Sequence, residues 1–345
     1  MKILTVVGAR PQFIKAAAVS RAIAATEGID EVMVHTGQHF APEMSAIFFE
    51  ELGIPNPVHH LGINGGGHGE MTGRMLAALE PVIETENPDV VVVYGDTNST
   101  LAGALIAAKL HVPVAHVEAG LRSFNRRMPE EINRILTDHV SALLLCPTAA
   151  AVDNLRREGI TKGIHHVGDV MYDATLHARA MARERSQILD NLHLHPGSYA
   201  VATVHRAENT DDANRLREII GWLKERAKEN AVVFPVHPRT QVRARTIGID
   251  FDGLLTCPPV GYLDMARLLD GSVAVFTDSG GLQKEAYFHR KPCVTLREET
   301  EWVETVQQGW NRLWRDSHYR QRGLIADYGD GRAAEKVVEL CRNPG

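Results

Sequence analysis

Short apolar, β-branched runs recur along this chain, and the intervals between them carry helical periodicity. That alternation constrains the fold more than any other feature. The runs are ILTVV (3–7), VMVH (32–35), VVVVY (90–94), VPVAHV (112–117), ALLLC (142–146), YAVATV (199–204), AVVFPV (231–236), VAVF (273–276) and CVTL (293–296). Between them, residues 13–26, 98–110, 130–140, 211–229 and 280–290 place apolar side chains at helical spacing, several closed by Pro or Gly. Strand-helix alternation of this kind is the mark of parallel sheets assembled from βαβ units. The expected fold class is α/β.

A chain of 345 residues favours two domains at roughly 150 residues each. The composition shifts once, around 169–197, where the Arg-rich HARAMARERSQIL runs into HLHPGS before a new strand begins. The expected division is residues 1–168, joined by a C-terminal helix within 331–345, and residues 169–330. Each half reads as its own doubly wound unit. With 44% apolar and 23% charged residues and a formal charge of −6, the chain reads as an ordinary globular protein with no basic excess for nucleic acid. No apolar stretch approaches the ~20 residues of a membrane span. MKILTVVGARP is too brief and wrongly flanked for a signal peptide. Cys146, Cys257, Cys293 and Cys341 form no C-x-x-C pair, which argues against a zinc ribbon or disulfide framework and for a reducing cytoplasm. Histidines such as His59-His60 and His193-Leu194-His195 read as solvated residues of polar connections.

The unusual polar residues cluster just past strand C-termini, the side of an open α/β sheet that borders its ligand crevice. Gly8-Ala9-Arg10, Gly95-Asp96, His116 and Glu118, His205-Arg206, His237, and Asp278-Ser279-Gly280-Gly281 all follow strands. Two such crevices, one per domain, would face each other across a cleft. Ser279-Gly280-Gly281 opens a helix, so it is either a diphosphate cradle or a simple N-cap. Glu285 could reach ribose hydroxyls from that helix, or be a solvated helix residue. GARPQFIK lacks the G-x-G-x-x-G spacing and so disfavours NAD. Arg10 and Lys15 flank its turn as candidate anion partners, with a snorkelling surface position the alternative for Lys15. Asp96, Glu118 and Glu130 supply carboxylates for proton transfer on two faces of a substrate. Asp96 could instead cap the helix at 98, and Glu130 could serve only a helix N-terminus. Glu118 has no such structural alternative.

Taken in order, GARPQFIK, YGDTNSTLAGALIA, HVEAGLRS, MPEEINRILTD, TVHRAEN, FPVHPRT and TDSGGLQKEA closely resemble the non-hydrolysing UDP-N-acetylglucosamine 2-epimerases over about residues 1–310. The resemblance implies two Rossmann-like doubly wound domains facing across a cleft, of the glycosyltransferase-B type. It also implies a homodimer, and interconversion of UDP-GlcNAc and UDP-ManNAc without metal or NAD. Carried over by position, it assigns Asp96, Glu118, Glu130 and His205 to catalysis. Arg10, Lys15, His237, Tyr262 of the uridine loop PPVGYLDM, Ser279, Gly280, Gly281 and Glu285 fall to UDP-sugar binding.

The chain departs from the family pattern in several places. TEWVE (300–304) puts Trp302 where many members have a substrate-binding Arg, which should lower positive charge near the nucleotide sugar. Met265 stands where an aromatic residue is common. GQHFAPEM keeps Gln38 and His39, but Ala41 replaces a Gln that, with Arg74 and His237, helps hold a second, activating UDP-GlcNAc in bacterial relatives. That replacement argues against such activation. Together with RSFNRRMPEE (122–131), these departures are similar to a branch acting on UDP-2,3-diacetamido-2,3-dideoxyglucuronate. Its C6 carboxylate would suit the forks of Arg126 and Arg127, which could equally be solvated. A retaining glycosyltransferase, a hydrolysing epimerase that releases free ManNAc and UDP, and a non-catalytic UDP-sugar sensor are the rival functions.

Overall fold

The structure is a computed structural model that describes residues 1–38 and 51–343, with the side chain of Arg10 outside that description. The chain divides into two units, Met1–Ala174 with Ala326–Gly345, and Thr175–Ile325.

Unit 1 carries seven parallel strands: β1 (Lys2–Val7), β2 (Asp30–His35), β3 (His59–His60), β4 (Val90–Tyr94), β5 (Val114–Val117), β6 (Leu143–Cys146) and β7 (Ile164–His166). Their order is β3-β2-β1-β4-β5-β6-β7. Unit 2 carries β8 (Tyr199–Thr203), β9 (Ala231–Pro235), β10 (Leu255–Cys257), β11 (Ala274–Thr277), β12 (Cys293–Thr295) and β13 (Asn311–Leu313), in the order β10-β9-β8-β11-β12-β13. Both sheets wind outward in two directions from a central pair, β1/β4 in unit 1 and β8/β11 in unit 2. The α/β class with two doubly wound sheets is therefore the fold observed.

Every residue of β4 is buried, as a central parallel strand covered on both faces requires. Nine strands coincide with the apolar runs of the sequence. The other four, β3, β7, β10 and β13, are two or three residues long and form the outer edges of their sheets. His59-His60 is one of these edges and not a solvated connection. His59 is half-buried, with Nε2 2.8 Å from Glu86 Oε1.

The helices that frame the candidate site in unit 1 are α1 (Arg10–Ala24), α2 (His68–Glu86), α3 (Asn98–Lys109), α4 (Pro129–Val140) and α5 (Ala149–Arg157). Helix α6 (Val170–Arg185) carries the chain from unit 1 into unit 2. Unit 2 adds α7 (Ile188–Asn191), α8 (Ala207–Thr210), α9 (Ala213–Ala227), α10 (Pro238–Thr246), α11 (Tyr262–Gly271), α12 (Gly280–Phe288) and α13 (Val303–Gln307). The last helix, α14 (Ala333–Cys341), belongs to unit 1 and packs on α1. Among the described residues, no helix is long and apolar enough to cross a membrane, and all four cysteines are free thiols.

Candidate active site

At the β1/β4 switch point, the turn after β1 is closed by its own helix. A Cβ on Gly8 would run into the hydroxyls of Thr36 and Ser99, so only glycine fits there. The Gly8 and Ala9 N–H groups donate to Gln12 Oε1 at 2.8 and 3.0 Å. Gln12 Nε2 donates to the Tyr94 carbonyl and the Thr100 hydroxyl, both at 2.9 Å. Those amides are satisfied inside the protein, whereas a dinucleotide loop presents them to a pyrophosphate. Arg10 opens α1.

Lys15, half of whose sequence reading was a surface side chain, is buried instead, and its ammonium pairs with the Glu118 carboxylate. The room for this pair is made by Gly95. A Cβ there would sit 3.2 Å from Lys15 Nζ and 3.4 Å from Glu118 Oε2. Glu118 itself holds the left-handed backbone region at φ 74°, which a non-glycine residue adopts only when its surroundings enforce it.

Asp96 follows Gly95 in the chain. It does not cap α3, because Thr97 is the N-cap and its Oγ1 accepts from Thr100 N at 3.2 Å. The Asp96 carboxylate is thereby left to meet the Arg134 guanidinium, with Nε at 3.0 Å and Nη2 at 2.8 Å from Oδ2. Asn133 Nδ2 donates to the Asp96 carbonyl at 2.9 Å. Each of these two carboxylates therefore faces a cation.

Glu130 sits exposed in the first turn of α4, and the buried acid is its neighbour Glu131. Glu131 accepts from Ser123 N (2.9 Å), Ser123 Oγ (3.0 Å), Phe124 N (2.9 Å) and Arg134 Nη1 (2.6 Å). Burial pushes its carboxyl up, but these donors and the Arg134 charge together hold it below the usual range. The loop it pins carries Arg126 and Arg127, both exposed. Arg134 and Asn133 escaped the sequence reading, although a position four residues after Glu130 shares its helix face.

In unit 2 the organising group is Asp278, which is fully buried after β11. Its Oδ2 accepts the N–H groups of His205 and Arg206 at 2.9 Å each and Asn209 Nδ2 at 3.0 Å, and His205 Nδ1 lies 3.2 Å from Oδ1. Burial raises its pKa, yet His205, Arg206 and Asn209 outweigh that and leave it below the ordinary value. Asp278 thus builds the turn that presents His205, whose ring lies 5.6 Å from that of His237. His237 caps α10 through Nδ1, which accepts from Arg239 N at 3.2 Å.

Ser279 caps α12, its Oγ accepting from Leu282 N at 3.4 Å. Gly280 opens that helix against the Glu301 carboxylate and near the Arg206 guanidinium. Glu285 is buried, and its Oε1 lies 3.8 Å from where a Gly281 Cβ would stand, so its carboxylate turns back toward the start of the helix. Tyr262 begins α11 and is buried. Trp302 is buried too, but it does not leave its surroundings short of positive charge. The Lys284 ammonium lies 4.0 Å from the centre of its ring, so a cation stacked on the indole occupies this place.

Of the residues tied to a second ligand, Gln38 accepts from Ser99 N (3.1 Å) and Oγ (2.7 Å). Arg74 donates to the carbonyls of Asn64 (2.9 Å) and Gly65 (2.7 Å). His39 and Ala41 lie outside the described residues. Met265 packs against the unit 2 core.

The family model described as UDP-N-acetylglucosamine 2-epimerase matches residues 21–342. A UDP-2,3-diacetamido-2,3-dideoxy-D-glucuronate 2-epimerase from Pseudomonas aeruginosa is 55% identical, over 91% of this chain and 88% of that one. A UDP-N-acetylglucosamine 2-epimerase homolog from Methanococcus maripaludis is 49% identical, over 99% and 100%. The crystal structure of Methanocaldococcus jannaschii UDP-GlcNAc 2-epimerase in complex with UDP-GlcNAc and UDP is similar, with TM-score 0.85, 40% identity and 99% of each chain covered. The family match, the identities and the fold agree, and the chain belongs to the UDP-N-acetylglucosamine 2-epimerase family of isomerases.

Proposed function

We propose that this chain inverts C2 of a UDP-linked 2-acetamido sugar, as in the conversion of UDP-GlcNAc to UDP-ManNAc, by eliminating UDP and adding it back. The observation that carries this reading is the pair of carboxylates gathered at Gly95, Asp96 next to it in the chain and Glu118 with its Oε2 packed against it, each faced by a cation. The C2 hydrogen of such a sugar has no neighbouring carbonyl and is scarcely acidic. When the C1–O bond breaks, its electron pair leaves with UDP and C1 becomes oxocarbenium-like. A carboxylate then removes the C2 proton, and a 2-acetamidoglycal forms. Protonation of C2 from the opposite face and return of the UDP oxygen to C1 complete the inversion. Asp96, Glu118 and Glu130 divide the base and acid roles, with Arg10 and Lys15 as the cations of unit 1. In unit 2 the diphosphate falls to His205 and Ser279–Gly281, where the Gly280 and Gly281 amides at the helix start and the helix dipole favour negative charge. The rest of the nucleotide falls to Glu285, His237 and Tyr262.

A second reading names the sugar as the 2,3-diacetamido uronate. It is favoured by Arg126 and Arg127, exposed in the loop leading to Glu130, and by the 55% identity to an enzyme named for that substrate. The proposed setting is cytoplasmic, in the supply of sugars for polysaccharide, and the free thiols suit it. The proposed assembly is a homodimer. The exposed apolar side chains Phe124 and Met128, just before α4, and Ile132 and Leu136 on it suit a covered surface.

The test is to incubate the protein with UDP-GlcNAc, and separately with the diacetamido uronate, in D₂O and to follow C2. Deuterium in the epimerised product is expected. Inversion with full retention of the substrate hydrogen would rule out elimination, and intact substrate in both arms would leave a transferase or a sensor.

A further inference from the structure

We propose that His116 and Asp138 are positioning residues, a buried brace that fixes the Gly95-Asp96 turn and the Glu118-Gly120 turn to each other. The proposal rests on Asp96 and Glu118 being the reacting carboxylates. Both side chains of the brace are fully buried, His116 on β5 and Asp138 in the last turns of α4. His116 Nε2 lies 2.7 Å from the Gly95 carbonyl, and Nδ1 lies 2.7 Å from Asp138 Oδ1. Both ring nitrogens thus face acceptors, and donating to both takes a hydrogen on each. Asp138 Oδ2 accepts the Gly120 N–H at 3.1 Å and pairs with Arg122 Nη1 at 2.7 Å. Arg122 is anchored behind it by Glu158, at 2.7 Å through both Nε and Nη2.

The contacts of this cluster fall on the residues that shape the two turns. Gly95 (φ 64°) immediately precedes Asp96, and Gly120 (φ 79°) follows Glu118 (φ 74°) by two. Glu118 and Ala119 are tied on their other side to the Leu145 carbonyl, at 3.1 and 3.3 Å. A Cβ on Gly120 would strike the Ala151 carbonyl, so this turn has no slack in which to relax. A buried His-Asp-Arg cluster is a poor way to stabilise a fold, since apolar residues of the same volume often do as well. Its distinctive property is direction: one imidazole and one carboxylate hold a carbonyl and an amide belonging to two separate loops. The left-handed Glu118 backbone, and with it the aim of its carboxylate at Lys15, depends on that hold.

The test uses the full chain with Asp138→Asn and His116→Gln, which keep volume and polarity but cannot make all of these bonds. Expected are a fall in kcat of about 100-fold for Asp138→Asn and 10-fold or more for His116→Gln, the scale of small misplacements of reacting groups. KM and UDP affinity should change less than threefold, and C2 deuterium exchange should fall in step with kcat. A lowered Tm with unchanged kcat well below the transition would overturn the brace, as would failure of both variants to fold. If the wild type turns over neither sugar, the functional reading fails separately. The brace is then judged on the crystal structure of either variant, where a Glu118 turn that keeps φ near its present value overturns it.

Discussion

Glu118 combines a left-handed backbone, a buried ion pair with Lys15 and a seat beside Gly95, so its side chain has one available direction. Glu118→Gln keeps that shape and removes the ionisable carboxylate. Turnover is expected to fall by roughly 10²–10⁴, the usual contribution of a general acid–base group. UDP affinity by calorimetry should hold, because the helix start at Gly280 belongs to the other unit. Unchanged turnover would make Glu118 a structural acid. Arg127 bears on substrate choice. If it reads a C6 carboxylate, Arg127→Ala should lower kcat/KM for the uronate by the equivalent of about 2–5 kcal/mol, with far less loss for UDP-GlcNAc and with Arg126→Ala as neighbour control. Equal losses on both sugars would remove the carboxylate role. The three carboxylates and the Ser-Gly-Gly start were visible in the sequence because they sit at strand ends and helix starts. Glu131, Arg134 and Asp138 were not, since nothing in PEEINRILTDHV says which polar side chains of an amphipathic helix turn inward.

At the scale of elements, the interior strands were legible as continuous apolar runs, and the edge strands were not. HH, IHH, LTC and NRL pair on one side only and stay partly exposed, so pairing and not composition makes them strands. Element ends also hold a titration. Asp173 in α6 accepts the Ala334 N–H at 2.7 Å and so caps α14, while its buried Oδ1 has no donor among the described residues. Burial, with Asp169 nearby, pushes its carboxyl up from 3.8 to about 6 against the pull of the α14 amides. A folded-state pKa above the unfolded value favours the protonated form. That stability is full below about pH 4 and is lost as pH rises through about 6. Asp173→Asn keeps an acceptor and cannot ionise. Its urea midpoint should therefore fall less than the wild type's between pH 4 and 7, a difference on the order of 2 kcal/mol. Parallel pH profiles would place the carboxylate in water.

At the scale of the whole molecule, the chain leaves unit 1 within α6 and returns at Ala326 to lay α14 on α1, the first helix of the chain. Tyr328, Val337, Val338 and Cys341 are buried in unit 1 by this return. Ending the chain after Ile325 should cost unit 1 on the order of 5 kcal/mol. Hydrogen exchange should then show β1, β2 and α1 losing protection while β8, β9 and β11 keep theirs. Equal loss in both units would mean that the terminal helix serves more than unit 1. Sequence alone determined the α/β class, the doubly wound halves and the family. Apolar periodicity and motif order are local properties, written in consecutive residues. Tertiary structure alone decided that Lys15 is buried on Glu118, that Lys284 places a cation on Trp302, and that His116 and Asp138 join the turns that follow β4 and β5. Each of these is a contact between residues far apart in the chain, and only the register of the sheets brings such partners together.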